Sequence, residues 1–446
     1  MLLNAFDMAC VGHIQQGLWT HPRDRSTDYA SLDHWLALAQ RLEAGLFDGL
    51  FLADVLGVYD VHGGSPDAAI RNAVQVPLLD PLLLVSGMAA VTRHLGFGIT
   101  CNLAYEPPYL LARRFSTLDH LTRGRIGWNI VTGYLDSAAR AMGLPAQDAH
   151  DNRYDRAEEF LDVVYALWEQ SWEDDAVRAD RASGVYADPA KVHAIHRDGP
   201  RYRLDAPHLV APSPQRTPVL YQAGASNRGR DFAGRHAECV FLNGGPKPLV
   251  AAQIADLRAR AAPRELKVFL GATVILGRTT AEAHDRFEDY RRHASVEGAL
   301  AHASASMGID LARYAPDEPI EGTGNAIQSN VATQRQIAGG ALTRRKLEAQ
   351  FLLGSRQPPI LGTAAEVADV LAGWVTEAGV DGFNLSRTVI PECLEDVVDL
   401  LVPELQSRGL YKTSYAEGTL REKLFGAGPR LAPPHPAAVR APMPAR

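Results

Sequence analysis

Four stretches of the chain gather side chains able to bind or react. In CVGHIQQGLWTHP, a thiol (Cys10) and an imidazole (His13) follow an apolar run. An imidazole titrates near neutrality and can give or take a proton, although a lone histidine also serves as an ordinary structural group. In FDGLFLAD the carboxylate of Asp54 ends an apolar segment. There it can accept a hydrogen bond from a ring N–H or order the next loop, unless it is simply a solvated turn residue. HDNRYDRAEEF places His150 and Tyr154 four residues apart, hence on one face of a helix. They can grip a phosphate or a ring edge, or merely open a helix whose acidic first turn suits its dipole. In TPVLYQAGASNRGRDFAGRHAE an apolar run ends at Gln222, and Ala223, Gly224 and Ala225 lead to Ser226. Small residues admit a ligand to the backbone, and the free N–H groups of a helix start favour an anion. Arg228 and Arg230 can add charge, and Ser226 can equally be a plain N-cap.

Other chemistries lack their residues. GxxxxGK[ST], GxGxxG and a G-x-S-x-G elbow are missing from these stretches, and His193 and His196 have no carboxylate or cysteine cluster, so no metal site is assigned. Cys10, Cys101, Cys239 and Cys393 stand far apart without a CxxC, as in a reduced cytoplasm, where we expect the protein to reside. A net charge of −7 without a strong basic run gives no support for nucleic-acid binding. The most apolar window, Val74 to Val91, is broken by Pro77, Asp80 and Pro81, so no membrane span is expected.

The reactive stretches need elements to hold them. DHLTRGRIGWNIVTG reads as a helix end, a break at Gly124, and a buried strand over Arg125–Gly133. Similar runs occur at Asn4–Gly12, Phe47–Asp54, Leu95–Asn102, Thr217–Gly224, Ala237–Asn243, Lys267–Gly277 and Val380–Ser386. Amphipathic segments such as Tyr29–Ala44, Leu78–Arg93, Pro108–Leu121, Asn152–Glu169 and Ala364–Glu377 alternate with them. Eight strands with covering helices predict an α/β protein of the (β/α)8 TIM-barrel class, with its ligand at the carboxyl ends of the strands. A single barrel domain is expected over 1–430, with long insertions at 57–75, 171–214 and 295–354 that would serve as lids or pocket walls. The Pro/Ala-rich tail 431–446 is expected to be disordered.

Taken together, GLWTHP, FLADVLGVYD, YLLARRFSTLDHLTRGRIGWNIVTG, HDNRYDRAEEFLDVVYALWE, TPVLYQAGASNRGRDFA and GVDGFNL resemble the bacterial-luciferase-like flavin monooxygenases. The branch is the one containing nitrilotriacetate, dibenzothiophene sulfone and long-chain alkane monooxygenases, the last being the nearest match. The resemblance implies non-covalent FMN, delivered reduced by a separate flavin reductase, and O2, of which one atom enters a small organic substrate. It also implies a homodimer or homotetramer. Long-chain alkanes are the first substrate class it suggests, within apolar or sulfur-containing organic molecules. On the matching positions it implies that Asp54, Thr132 and Gly133 meet the flavin. His150, Tyr154, Ala225 and Ser226 would hold its phosphate end. Cys10, His13, Tyr59 and His302 fall on catalytic positions, and Gln75 on the substrate pocket. Tyr134 stands where the alkane enzyme has histidine, which leaves the substrate open. A deazaflavin- or nicotinamide-linked oxidoreductase, and a flavin-binding protein without turnover, are the rival expectations.

Overall fold

The computed structural model describes residues 1–224, 226–321, 334–335, 339–353 and 357–439. Ala225 and most of the run EGTGNAIQSN lie outside them. All eight expected strands form: β1 (Leu2–Met8), β2 (Gly49–Ala53), β3 (Gly96–Asn102), β4 (Ile126–Val131), β5 (Val219–Gln222), β6 (Cys239–Asn243), β7 (Lys267–Leu276) and β8 (Gly382–Ser386). Each pairs in parallel with the next, and β8 returns to β1 with Ser386 opposite Phe6. This closes a TIM barrel. Most strands are shorter than their apolar runs. The reading that ends the first strand near His13 is corrected, because β1 stops at Met8 and the chain turns before Cys10.

Both faces of the strands are covered, which is why they read as nearly continuous apolar runs. Inside, Phe51 lies 4.2 Å from Phe241, and Phe241 stacks on Tyr221 at 5.5 Å. Glycines on the neighbouring strands admit these rings: a Cβ on Gly98 would come within 2.5 Å of Phe51, and one on Gly127 would strike Tyr221. Outside, Trp128 of β4 packs against Phe115 of α3 (Pro108–Leu121) and against Phe160 and Trp168 of α4 (His150–Gln170), its indole N–H donating to the Cys101 carbonyl at 3.0 Å. The remaining cover includes α1 (Leu32–Ala44), α2 (Pro81–Ala90), α5 (Asn227–His236), α6 (Lys247–Ala261), α7 (Thr280–His293), α8 (Val296–Met307) and α9 (Ala364–Ala378).

The amino-terminal mouth is plugged from below by a short helix, Leu420–Phe425, closed by a Thr419/Glu422 capping box. Leu420 and Leu424 join the interior aromatic cluster. Arg421 is buried and paired with both oxygens of Glu238 at 2.7 and 3.0 Å, and it also donates to the carbonyls of Thr217 and Pro218. Among the described residues the floor is filled by this helix, and the cleft described below lies over the carboxyl ends.

The long intervals carry structure of their own. Residues 171–214 contain two antiparallel hairpins, Val177–Asp180 with Val185–Ala187 and Ile195–Asp198 with Arg203–Ala206. Their cations Arg178, Lys191 and Arg203 pair with acids of the same insertion. The third interval holds α8 and a helix at Arg344–Phe351. The tail, expected to be disordered from Leu431, folds back over its described part: His435 is buried, donates to the His236 carbonyl at 2.9 Å and meets the Tyr165 ring. Its prolines and alanines hid that anchor. Among the described residues no helix is long and apolar enough to cross a membrane, and the four cysteines are free and buried.

Candidate active site

Over the carboxyl ends of β2 to β5 lies a cleft of about 190 Å³, bounded by Asp54, Asn102, Val131–Tyr134, Gln222–Gly224 and the starts of α4 and α5. One end is built by two helix N-termini. Ser226 caps α5, its Oγ accepting from the Gly229 N–H at 3.0 Å, as the plain capping reading expected. Its own proton is then free for His150 Nε2 at 3.3 Å, while His150 Nδ1 faces Asp151 at 2.8 Å. Tyr154, one turn on, lies 5.3 Å from the His150 ring and beneath the Arg228 guanidinium. Burial raises its pKa, so the phenol stays a neutral donor. Gly224 and Gly229 keep this end open, since a Cβ on either would come within 2.8 Å of the Tyr154 hydroxyl. Neither expected arginine lines the cleft: Arg228 pairs with Asp155 over the Tyr154 ring, and Arg230 turns away to Asp256.

The structure adds Arg153. It is 3% exposed, lines the cleft beside His150 and Tyr154, and donates through Nη1 to the Gly133 carbonyl. Its Nε meets no partner among the described residues. A buried guanidinium with an unused donor marks a place for an anion. The signal was present in HDNRYDRAEEF, where Arg153 is three residues from His150 and so on the same face. In a charged helix start it reads as solvated surface.

The middle of the cleft brings Asp54, Thr132 and Gly133 together. Gly133 has φ +74°, and a Cβ there would press to 2.7 Å on the Asn102 amide. Asp54 follows the last residue of β2 and is half-buried. Burial, with Asp80 nearby, pushes its pKa up to about 7.

Behind the far end of the cleft, which Tyr134 lines, residues from the loops after β1, β2 and β4 and from α8 come together. Tyr134 and Tyr59 share a hydrogen bond of 2.6 Å, Tyr59 donates to Gln75 Oε1 at 2.7 Å, and Gln75 Nε2 donates to the His13 carbonyl at 2.9 Å. The His302 ring, from α8, stacks on Tyr59 at 5.7 Å. The His13 ring is buried against Phe6, and burial together with Arg387 and His302 lowers its pKa well below the usual value. Cys10 is close in sequence but different in character. Its thiol donates to the Gly12 carbonyl at 3.3 Å, and burial pushes its pKa up to about 12. It is therefore held as a neutral thiol. Beneath this end lies an ion pair that sequence reading missed: Arg387, one residue past β8, binds Asp7 of β1 at 2.5 Å and the carbonyls of Cys10 and Val11 at 2.8 Å. It fixes the loop that carries His13.

Among the described residues one group has the ligand types of a metal site, His21, Asp289 and His293. The Asp289 carboxylate is already engaged, pairing with His21 at 2.9 Å and accepting from the Arg23 and Arg292 guanidiniums at 3.3 and 2.7 Å.

Comparison with known proteins fits the geometry. Residues 11–382 match the luciferase-like monooxygenase family model. The chain is 48% identical over 433 residues to the long-chain alkane monooxygenase of Geobacillus thermodenitrificans (strain NG80-2), spanning 96% of this chain and 94% of that protein. It is 46% identical over 448 residues to the dimethyl-sulfide monooxygenase of Hyphomicrobium sulfonivorans, spanning 98% and 93%. A crystal structure of riboflavin lyase with modified FMN and riboflavin superposes with a TM-score of 0.91 at 38% identity, covering 98% of each chain. These likenesses are consistent with a flavin monooxygenase, and the chain belongs to the luciferase-like monooxygenase family.

Proposed function

We propose that this chain is the oxygenase of a two-component system. It takes reduced FMN from a separate flavin reductase and uses it with O2 to oxygenate an apolar or sulfur-containing organic molecule, long-chain alkanes first among the candidates. The observation that carries the reading is one cleft with His150, Arg153, Tyr154 and Ser226 at one end and Tyr134, hydrogen-bonded to Tyr59 behind it, at the other, with Asp54 and Gly133 between them. Solution assembly as a homodimer or homotetramer in the cytoplasm belongs to the same proposal.

The residues present fit FMN. Gly224 and Gly229 leave the space beside the Tyr154 hydroxyl that a side chain would fill, and Arg153 Nε is a buried donor with no acceptor among the described residues. His150, Tyr154, Ser226 and the backbone at Ala225 would hold the phosphate, with Arg153 balancing its charge. Asp54, Thr132 and Gly133 would meet the ring system. When bound and reduced, the flavin supplies the electrons that activate O2. The chain's own work is to orient the substrate against the ring, to exclude water, and to hold protons at Tyr59, Tyr134, His13 and His302. Cys10, buried as a neutral thiol that donates to the Gly12 carbonyl, would pack the loop that carries His13 rather than attack.

The test supplies photoreduced FMN, without any reductase, to the purified protein and screens alkanes, sulfides, sulfones and aminopolycarboxylates. The expected result is oxygen-dependent product with a matching fall in hydrogen peroxide release. Substrate turnover without oxygen would transfer the reading to a dehydrogenase, and FMN binding without any turnover to a non-catalytic flavin protein.

A further inference from the structure

Asp54 separates two spaces. One is the cleft, and the other is a chamber of about 180 Å³ that shares Asp54, Leu56 and Asn102 with it. The chamber's remaining wall is formed by leucines of the 78–82 segment, by Thr100 and Cys101 of β3, and by two more carboxylates, Asp80 and Glu106. Among the described residues no lysine, arginine or histidine lines it. Glu106 reaches out to Arg114 at 2.8 Å. Asp80 caps α2, its Oδ1 accepting from the Leu82 N–H at 2.9 Å, which holds its carboxylate at the chamber wall.

Two carboxylates on one largely apolar wall repel, and a proton on one of them relieves the conflict. The helix N-terminus that Asp80 caps favours its negative charge, and Asp54, past the end of β2, has no such support. On the cleft side the titratable groups near Asp54 are Tyr134, His150, Arg153 and Tyr154, and Arg153 is turned to the Gly133 carbonyl. The loop after β1 and β3 add two buried thiols, Cys10 and Cys101, whose own pKa values Asp54 helps to raise. Burial first and Asp80 second push the Asp54 pKa up to about 7.

We propose that Asp54 meets the flavin ring as an un-ionised carboxylic acid up to neutral pH, donating a hydrogen bond to it, and that Asp80 is the positioning residue that keeps the proton on Asp54. The inference rests on the flavin reading above. In the sequence alone Asp54 reads as an acceptor for a ring N–H, and the chamber behind it reverses that direction. The acid form can donate, whereas a carboxylate can only accept and repels an electron-rich reduced ring. Asp80 touches neither cleft nor ring, and acts through Asp54.

The experiment compares the wild type with Asp80→Asn and Asp54→Asn. Asparagine caps a helix as well as aspartate does, so Asp80→Asn removes the charge and keeps the fold. First, the chain with isotope-labelled aspartate carboxyl groups and no flavin is titrated by NMR, the Asp54 signal being identified by its loss in Asp54→Asn. Asp54 should still hold its proton at about pH 6, where an ordinary aspartate is ionised, and its midpoint should move down in Asp80→Asn. Second, affinity for oxidised riboflavin, which has no phosphate to titrate, is followed by fluorescence. From about pH 5.5 to about pH 8.5 the wild-type affinity should fall by roughly three- to tenfold, the worth of one hydrogen bond. Asp54→Asn keeps a donor at every pH and should give a flat profile, and in Asp80→Asn the fall should begin at lower pH. An Asp54 carboxylate already ionised at about pH 6 overturns the inference. So does a midpoint that Asp80→Asn leaves in place, as a merely structural role for Asp80 would, or a riboflavin affinity that rises with pH. If Asp54 titrates as expected while neither riboflavin nor FMN binds, the flavin reading fails and takes the ring contact with it. If both bind and oxygen-dependent product forms while Asp54 is ionised at about pH 6, only this inference fails.

Discussion

The Arg153 guanidinium donates to the Gly133 carbonyl, tying the first turn of α4 to the glycine that follows β4. One buried cation thus spans the two parts of the cleft assigned to the phosphate and to the ring. Its role in anion binding is separable from its role as a tie. In Arg153→Met, FMN affinity should weaken by roughly tenfold to a hundredfold, as for a charged hydrogen bond. Riboflavin, which lacks the phosphate, should lose about twofold or less on the same estimate of where the charge acts. Fluorescence titration of both ligands checks this. Equal losses would assign Arg153 to structure alone.

Asp54 makes stability depend on pH in a definite direction. Its pKa is about 7 in the folded chain against 3.8 for a freely solvated aspartate, so the folded state holds the proton more tightly across that interval. Its contribution to stability is therefore most favourable at low pH and declines as pH rises from about 4 to about 7. Asp54→Asn should gain on the wild type over that range, by about 1–2 kcal/mol at pH 8 after allowing for the half-exposed carboxylate. Urea unfolding at pH 5 and pH 8 measures it. A difference that is the same at both values would show that the carboxylate is not strained by burial.

Gly224→Ala places a methyl group against the Tyr154 hydroxyl and the Gln222 amide. Overpacking of this kind costs about 1–3 kcal/mol. We expect a lower melting temperature together with weakened FMN binding. Gly143→Ala is a useful contrast: Gly143 has φ +77° but nothing within 4 Å of its Cβ, so the change strains only the local backbone and should leave FMN affinity alone.

The thiols should be silent in the folded protein. Cys10 is 1% exposed and Cys239 is fully buried, and burial raises the pKa of all four cysteines. A disulfide reagent at pH 8 should modify them only after denaturant is added. Rapid labelling of Cys10 in the native state would reopen a reactive role for it.

Arg421 holds the barrel floor through a buried ion pair with Glu238. Arg421→Ala leaves that carboxylate unpaired and should cost about 3–5 kcal/mol. Replacing both partners with methionine should cost clearly less than the single change, because no charge is stranded. Thermal unfolding of the single and double variants decides the point.

Much of this architecture was legible in order. Eight parallel strands buried on both faces leave continuous apolar runs, and Arg125–Gly133 was one of them. Helical spacing put His150 and Tyr154 on one face, and a small-residue turn put Ser226 at a helix start, where it stands. Strand ends were less legible, because residues such as Cys10 and Gly12 remain apolar after leaving the ladder. The anchor at His435 was masked by the composition around it.

Local sequence determined the elements, since periodicity and capping depend on neighbours a few residues apart. Only the closed barrel decided which of them meet. Tyr134, Tyr59, Gln75 and the His13 carbonyl form one hydrogen-bonded chain because β4, β2 and β1 deliver their loops to the same rim, and nothing local to any of these residues encodes that meeting. Arg153 and Asp54 are likewise an ordinary surface arginine and a turn aspartate until burial removes their water. What an ionisable group does depends on that desolvation, a property of the packed structure rather than of the residue.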